Sequence, residues 1–298
     1  MLYNIFHIKQ LKHNLKFYKK IGLNKFYFSP ISSKDFENKN PNLIVSEYPK
    51  KMLKETKLFQ QANEQLKAEL ENFEKNGYAI LPQFFKKSEV DAMNQEIDQL
   101  ISSGKANKLE NNKIMFAFEQ SEALRLAGQN KLINEVLESW MGDKVQLFQS
   151  INFLWGSEQA THSDSIHMTT FPLGKLFGVW VALEDVDLDN GPLHYYPGSH
   201  HLPYYLNKDY YNEGTFFTLG NKGYAAYEKM IAEKIESHQL QKQIFTAKAG
   251  DVLIWHANLF HGGEPHQNKN KTRKSVVFHY YAENCICYHE ISQRPALM

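Results

Sequence analysis

Two cysteines in 298 residues, Cys285 and Cys287, leave no room for a disulfide framework. An i, i+2 pair on a strand points to one side without the approach that suits a disulfide, so both are expected as reduced thiols. Without a second pair they make a poor zinc site as well. Long apolar runs are also missing. No stretch approaches the roughly 18 residues of a membrane helix, and "MLYNIFHIKQ" lacks the basic-then-apolar order and cleavage site of a secretion signal. The expectation is a cytoplasmic protein with no transmembrane segment. An excess of one charge is absent too, since 34 basic residues against 33 acidic ones give +1. That balance supplies no global pull toward nucleic acid or membrane. There is no internal repeat and no low-complexity tract. What is present, 42% apolar and 22% charged residues, is the composition of a globular chain with a substantial core.

One local asymmetry stands at the start. Lys9, Lys12, Lys16, Lys19, Lys20 and Lys25 precede the first acidic residue, Asp35, and alternate with Leu11, Leu15, Phe17, Ile21 and Phe26. The pattern fits a basic amphipathic helix, read either as a solvated face of a helix packed on the domain or as a contact for a membrane surface or acidic partner. "SPISSKDFENKNPNL" then has the composition of a linker. The chain accordingly divides into a basic helical segment and linker, residues 1–57, and a single domain over 58–298.

That domain reads as helical first and strand-rich afterwards. Leu58, Ala62, Leu66, Leu70 and Phe73 recur at helical spacing up to Gly77. "YAIL" follows as a strand, and Ser88 is placed to cap a helix carrying Val90, Met93, Ile97 and Ile101. A further helix is expected near Leu132 to Trp140. After Gly142 come short apolar and aromatic runs between turn formers: "VQLFQSINFLW", "FGVWVALEDV", "LHYY", "QIFTAK", "DVLIWH" and "SVVFHYYAE". Such strands without alternating helices predict a mainly β fold with flanking helices, a barrel or double-sheet roll. A long insertion at about 201–242, helical near Tyr224 to Ile235, has the place of a lid at the barrel mouth.

"THSDSIHM" carries the chemistry. A His-x-Asp pair in extended backbone puts His162 and Asp164 on one face, and a histidine from a distant strand would complete a 2-His-1-carboxylate triad with open coordination positions for non-haem iron. Two histidines qualify by position, His256 and His261.

"HSDSIHM", "GVWVALEDVDLDNGPLHYYPGSH", "GDVLIWHANLFHGG" and "TRKSVVFHYY" together resemble the phytanoyl-CoA dioxygenase family of Fe(II)- and 2-oxoglutarate-dependent oxygenases, from about Gly77 onward. The resemblance implies a double-stranded β-helix (jelly-roll, cupin-like) core and iron held by His162, Asp164 and His261. It implies that Arg273, 12 positions after His261, binds the distal carboxylate of 2-oxoglutarate bidentately, a task for which lysine substitutes poorly. Ser275 would assist, and Trp180 would line the cosubstrate pocket. "QSIN" is similar to a strand of ectoine hydroxylase and its relatives that supplies pocket groups, which points to Gln149 and Asn152. Their odd spacing sends them to opposite faces unless a bulge intervenes. Gly263 stands where some relatives place a serine.

His167 and His194 are the candidates for substrate contact. His200, His201, His256, His266, His279 and His289 are expected to be structural or superficial. Asp185, Asp187 and Asp189 look like a calcium-loop fragment, but the family turn "DVDLDNGPL" accounts for them. The implied activity consumes 2-oxoglutarate and O2, releases succinate and CO2, and hydroxylates an unactivated C–H bond of a small-molecule, lipid or carrier-bound substrate. Retention of Asp164 favours hydroxylation over halogenation. The alternatives are a metal-binding barrel without turnover, acting as a binding module, and a hydrolase or isomerase on the same barrel. The aromatic "LPYYLNKDYYNEG" fits too many ligands to name a substrate.

Overall fold

A computed structural model describes residues 2–106, 113–213 and 219–297. The chain opens with α1 (Leu2–Phe6) and α2 (Asn14–Ile21). Helix α2 turns Phe17, Tyr18 and Ile21 inward and leaves Lys16, Lys19 and Lys20 exposed. Its buried side joins Ile31, Phe36 and Ile44 in a cluster with Phe171, Ile286 and Tyr288. The stretch with linker composition is therefore docked. Phe36 stacks on Phe171 with centroids 4.7 Å apart, and the Ser33 hydroxyl donates to the buried Glu290 carboxylate at 2.7 Å.

The helix expected from Leu58 to Phe73 is broken into α3 (Lys57–Gln61), α4 (Glu64–Glu71) and α5 (Phe73–Asn76). The cause is Asn63. Its carboxamide oxygen accepts the Leu66 N–H at 2.9 Å and starts a new helix after an extended Ala62. Helix α6 (Lys87–Ser102) begins ahead of Ser88, with the Glu89 carboxylate accepting the Lys86 N–H at 2.9 Å. Helices α7 (Glu122–Gly128) and α8 (Lys131–Met141) follow, and α8 ends at Gly142, whose φ of 64° suits glycine.

The strands are β1 (Tyr78–Leu81), β2 (Lys113–Met115), β3 (Val145–Phe153), β4 (Thr169–Phe171), β5 (Leu176–Ala182), β6 (Leu193–Tyr195), β7 (Gln243–Phe245), β8 (Val252–His256), β9 (His261–Gly263), β10 (Ser275–Ala282), β11 (Ile286–His289) and β12 (Arg294–Pro295). All recorded pairings are antiparallel. One sheet runs β1-β8-β5-β10-β3-β2, and two smaller ones run β7-β6-β9 and β12-β11-β4.

Pairing register separates the two faces of the large sheet. Tyr78, Trp255, Gly178, His279 and Gln149 form one cross-strand row, and Ile80, Leu253, Trp180, Val277 and Ile151 form the next on the same face. This inner face packs with Leu193, Tyr195 and Phe245 of the small sheet. The outer face presents Ala79, Ile254, Val179 and Phe278, with Val252, Val181 and Val276 beyond, to helices α3 to α8. Helix α9 (Tyr224–Ser237), in the long insertion, buries Tyr227, Met230 and Ile231 against Ile166 and Phe260. Among the described residues no helix is long and apolar enough to cross a membrane.

Candidate metal centre

Backbone pairing brings the two ligand histidines together. His162 and His261 form an antiparallel bridge, each N–H donating to the other's carbonyl at 2.9 Å, so their imidazoles leave neighbouring strands side by side with centroids 4.5 Å apart. Asp164 follows on a short 3-10 turn, Asp164–Ile166, capped by the Ser163 hydroxyl. Its Oδ1 lies 3.8 Å from His162 Nε2 and 3.6 Å from His261 Nε2. One ligand atom from each of the three fits within 4.8 Å of the others, and all three residues are buried.

The imidazoles are held in one tautomer. His162 Nδ1–H donates to the Ala160 carbonyl and His261 Nδ1–H to the Leu259 carbonyl, both at 2.9 Å. Each Nε2 lone pair is thereby left to face Asp164, the orientation a metal ligand needs. Burial, with His261 beside it, holds His162 well below the usual imidazole range and so neutral. Burial opposes ionisation of Asp164, but the imidazoles of His261, His279 and His162 outweigh it and keep the carboxyl below its ordinary range. Two imidazole nitrogens and a carboxylate oxygen with open positions suit iron(II).

The triad opens into a cavity of about 270 Å³ between the large and small sheets. At its far wall Arg273 is 1% exposed, and its Nη1 donates to the Ser275 hydroxyl at 2.5 Å. Its Nε and Nη2 have no partner among the described residues, although an unpaired buried donor costs about 1–3 kcal/mol. Burial lowers the guanidinium to about 10, with Glu184 opposing, which leaves it charged at neutral pH. Lys113 shares this wall: its Nζ lies 5.3 Å from the centre of the Phe153 ring, while Arg273 Cζ lies 5.4 Å from the same centre. The Trp180 indole nitrogen and Gln149 Oε1 are unpartnered as well, and both residues line the cavity. A group of carboxylate chemistry, reaching from the triad to Arg273, would accept from the Arg273 nitrogens and the Trp180 N–H.

Ser275 holds Arg273 rather than lining the cavity itself. Asn152 does not reach the cavity. The irregularity in the β3–β10 register falls between the Gln149 and Leu147 pairings, so the pleat is regular from Gln149 to Phe153 and sends Asn152 to the outer face between Val276 and Ile114. His194 also falls outside. Alternation along β6 puts Leu193 toward the cavity and His194 behind Gly262, where it contacts Thr161 Oγ1 at 2.7 Å and Glu264 at 2.8 Å. His256 faces away from the triad because its neighbour Trp255 faces toward it; its Nδ1 accepts the Asn258 N–H at 3.0 Å.

His167 lines the cavity, with Nε2 3.0 Å from the Tyr224 hydroxyl on α9, and burial followed by His289 lowers it to about 4. Two histidines expected to be structural, His279 and His289, line the cavity too. The even spacing of Ser275, Val277 and His279 along one strand was the available signal for His279. Lys113 comes from a segment whose fold the sequence pattern does not fix, and Tyr224 from a helix that was expected while its contact with His167 was not. Asp185, Asp187 and Asp189 are occupied by lysines, Asp185 with Lys248 at 2.8 Å and Asp187 with Lys271 at 2.6 Å. An added Cβ at Gly263 would lie 2.4 Å from the Ser157 hydroxyl, so a serine from another loop fills that space.

The phytanoyl-CoA dioxygenase (PhyH) family model matches residues 73–275, more than half of the chain. Phytanoyl-CoA dioxygenase domain-containing protein 1 of Bos taurus is 25% identical over 195 residues, covering 45% of this chain and 65% of that protein. The chain thus spans less than two thirds of the length of the curated relatives it matches. Among solved structures, the non-haem α-ketoglutarate-dependent epimerase SnoN of nogalamycin biosynthesis superposes with a TM-score of 0.58 at 18% identity, over 74% of this chain and 84% of its own. EctD from S. alaskensis, solved with 2-oxoglutarate and 5-hydroxyectoine, gives 0.56 at 22% identity over 80% of each chain. These likenesses establish the fold as the jelly roll of iron- and 2-oxoglutarate-dependent enzymes.

Proposed function

This chain belongs to the phytanoyl-CoA dioxygenase family, and on that premise we propose that it is an Fe(II)- and 2-oxoglutarate-dependent dioxygenase that hydroxylates an unactivated C–H bond of a small-molecule or acyl substrate. The balance is substrate C–H, 2-oxoglutarate and O2 giving substrate C–OH, succinate and CO2. The observation that carries the reading is the pairing of a buried His162–Asp164–His261 set with a buried guanidinium that has two unpartnered nitrogens on the wall of the same cavity. Bound iron(II) supplies the redox chemistry that couples decarboxylation of the keto acid to oxidation of the substrate.

The chain's own residues bind and orient. His162 and His261 offer Nε2 and Asp164 offers Oδ1, with the tautomers fixed by the Ala160 and Leu259 carbonyls. Arg273, held by Ser275, receives the distal carboxylate of 2-oxoglutarate, and Lys113 adds a second positive charge for a dianion. The Trp180 N–H, the Gln149 carboxamide and the Ser157 hydroxyl are placed to complete that pocket. His167, neutral and bonded to Tyr224 of α9, faces the substrate side, where the insertion that carries α9 would act as the lid. The buried thiols of Cys285 and Cys287 fit a reducing cytoplasm.

Anaerobic addition of 2-oxoglutarate to the Fe(II)-loaded protein should produce a visible metal-to-ligand charge-transfer band, absent in His162→Ala. Under air, succinate should appear together with a product one oxygen atom heavier than its substrate. A charge-transfer band with a product of unchanged mass would replace hydroxylation with epimerisation. Stoichiometric iron without the band would remove the cosubstrate from the mechanism.

A further inference from the structure

The two oxygens of Asp164 have different surroundings. Oδ1 faces the ligand imidazoles, whereas Oδ2 accepts the Trp255 indole N–H at 2.7 Å and lies 3.6 Å from His279 Nε2. We propose that Trp255 is the positioning residue of the metal centre: its indole tethers Oδ2 so that Asp164 presents Oδ1 alone, and Gly178 provides the space in which the indole lies. The inference rests on the iron reading above and adds to it the device that keeps coordination positions free.

The chemistry of the donor favours this role. An indole N–H donates and cannot accept, and a buried ring cannot turn away to water. Trp255 is 4% exposed, and its ring also packs on the His261 imidazole with centroids 4.7 Å apart, so one side chain restrains two of the three ligands. A carboxylate free to rotate can chelate through both oxygens, and the second oxygen would occupy one of the positions that a facial triad leaves open. Tethering Oδ2 prevents that.

Gly178 explains how the indole comes to be there. Trp255, Gly178 and His279 are directly opposite one another on β8, β5 and β10, in one row of the inner face. An added Cβ on Gly178 would stand 2.5 Å from Trp255 Cε2 and 2.7 Å from Nε1. Gly178 is not among the glycines with positive φ, so its backbone conformation is open to other residues and the requirement is for space. Any side chain at 178 would push the indole off Asp164.

Calorimetric titration of the metal-free full chain with Co(II), anaerobically and without cosubstrate, tests the tether. Trp255→Phe keeps a ring and removes the N–H, and it should weaken Co(II) binding by about 10- to 100-fold, the usual cost of losing a group that orients a ligand. The visible Co(II) spectrum should shift as Asp164 becomes free to chelate. Gly178→Ala retains Trp255 and should weaken binding in the same sense, which keeps the test intact if Trp255→Phe folds poorly. Leu253→Ala is the control: it truncates a buried inner-face side chain of the same strand without touching Asp164, and should lower Tm while leaving the Co(II) Kd within twofold. Wild-type Kd and spectrum in both Trp255→Phe and Gly178→Ala would overturn the tether and leave the iron reading standing. Failure of the wild type itself to bind Co(II) would overturn both.

Discussion

On the outer face of the large sheet, Val179, Val181, Ile254, Val276 and Phe278 meet the helices, while on the inner face the same strands carry Trp180, Trp255 and His279, and β3 adds Gln149. The outer side chains lose water and gain close-packed neighbours, which is the ordinary source of stability. Across the sheet, Arg273 Nε and Nη2, Trp180 Nε1 and Gln149 Oε1 lie buried without partners among the described residues. Such atoms oppose folding until a ligand satisfies them. Apolar packing on one side thus offsets the desolvated polar groups that the other side keeps ready for binding. Asn152 is the exception on the outer face, buried beside Val276 with both amide atoms unpartnered.

Truncation on each face should separate stability from binding. Phe278→Ala, on the outer face, is expected to cost about 3–5 kcal/mol of folding stability through its lost burial and the cavity left behind. Denaturant titration measures that cost, and the Co(II) Kd of the folded fraction should be unchanged. A large loss of metal affinity would mean that the two faces are not independent.

Arg273→Leu, on the inner side, should do the reverse. Loss of a charge-assisted pair in a buried site costs roughly 2–5 kcal/mol of 2-oxoglutarate binding, with iron affinity nearly unaltered. Because a buried charge with unpartnered nitrogens is removed, Tm of the ligand-free protein should hold or rise. Calorimetry showing wild-type cosubstrate affinity would take Arg273 out of the site.

A smaller effect is expected from His256, whose ring is on the side of β8 away from the triad. Burial, then His200 and His201, lowers it to about 3 from the ordinary 6.5. The native state therefore stays neutral where the unfolded chain takes up a proton. Its contribution to stability is fully present above pH 6.5 and is lost as pH falls from there toward 3. Melting curves at pH 7.5 and pH 5 should show a larger drop in Tm for the wild type than for His256→Gln. Equal drops would mean that other groups carry the acid sensitivity.

How legible these features were depended on how locally each is encoded. The iron set could be read because His162 and Asp164 are two residues apart, joined through an extended Ser163, and "HANLFH" offers few partners. Arg273 drew attention through its chemistry and its distance from His261, and the structure puts it on the wall of the cavity that holds the set. Gln149 and Asn152 remained undecided, since a bulge anywhere in β3 would exchange their faces, and only the pairing with β10 shows where the irregularity falls. The docked stretch around Phe36 looked like a linker because its apolar residues are few, and the partners they meet, Phe171 and Tyr288, are more than a hundred residues away.

What the sequence by itself determined is therefore set by short-range periodicity and by residue chemistry: strands with one face toward a core, helices before them, and a His-x-Asp pair with a distal histidine as a metal set. Which of the remaining histidines meet the metal's surroundings was decided by strand pairing. His279 lies beside Asp164 and His194 behind Gly262 because of registers between segments far apart in the chain. The same holds for the indole of Trp255, whose reach to Asp164 depends on a glycine 77 positions earlier, in the adjacent strand. Pairing register is fixed by the summed burial of whole strands, and no local window of sequence contains that sum.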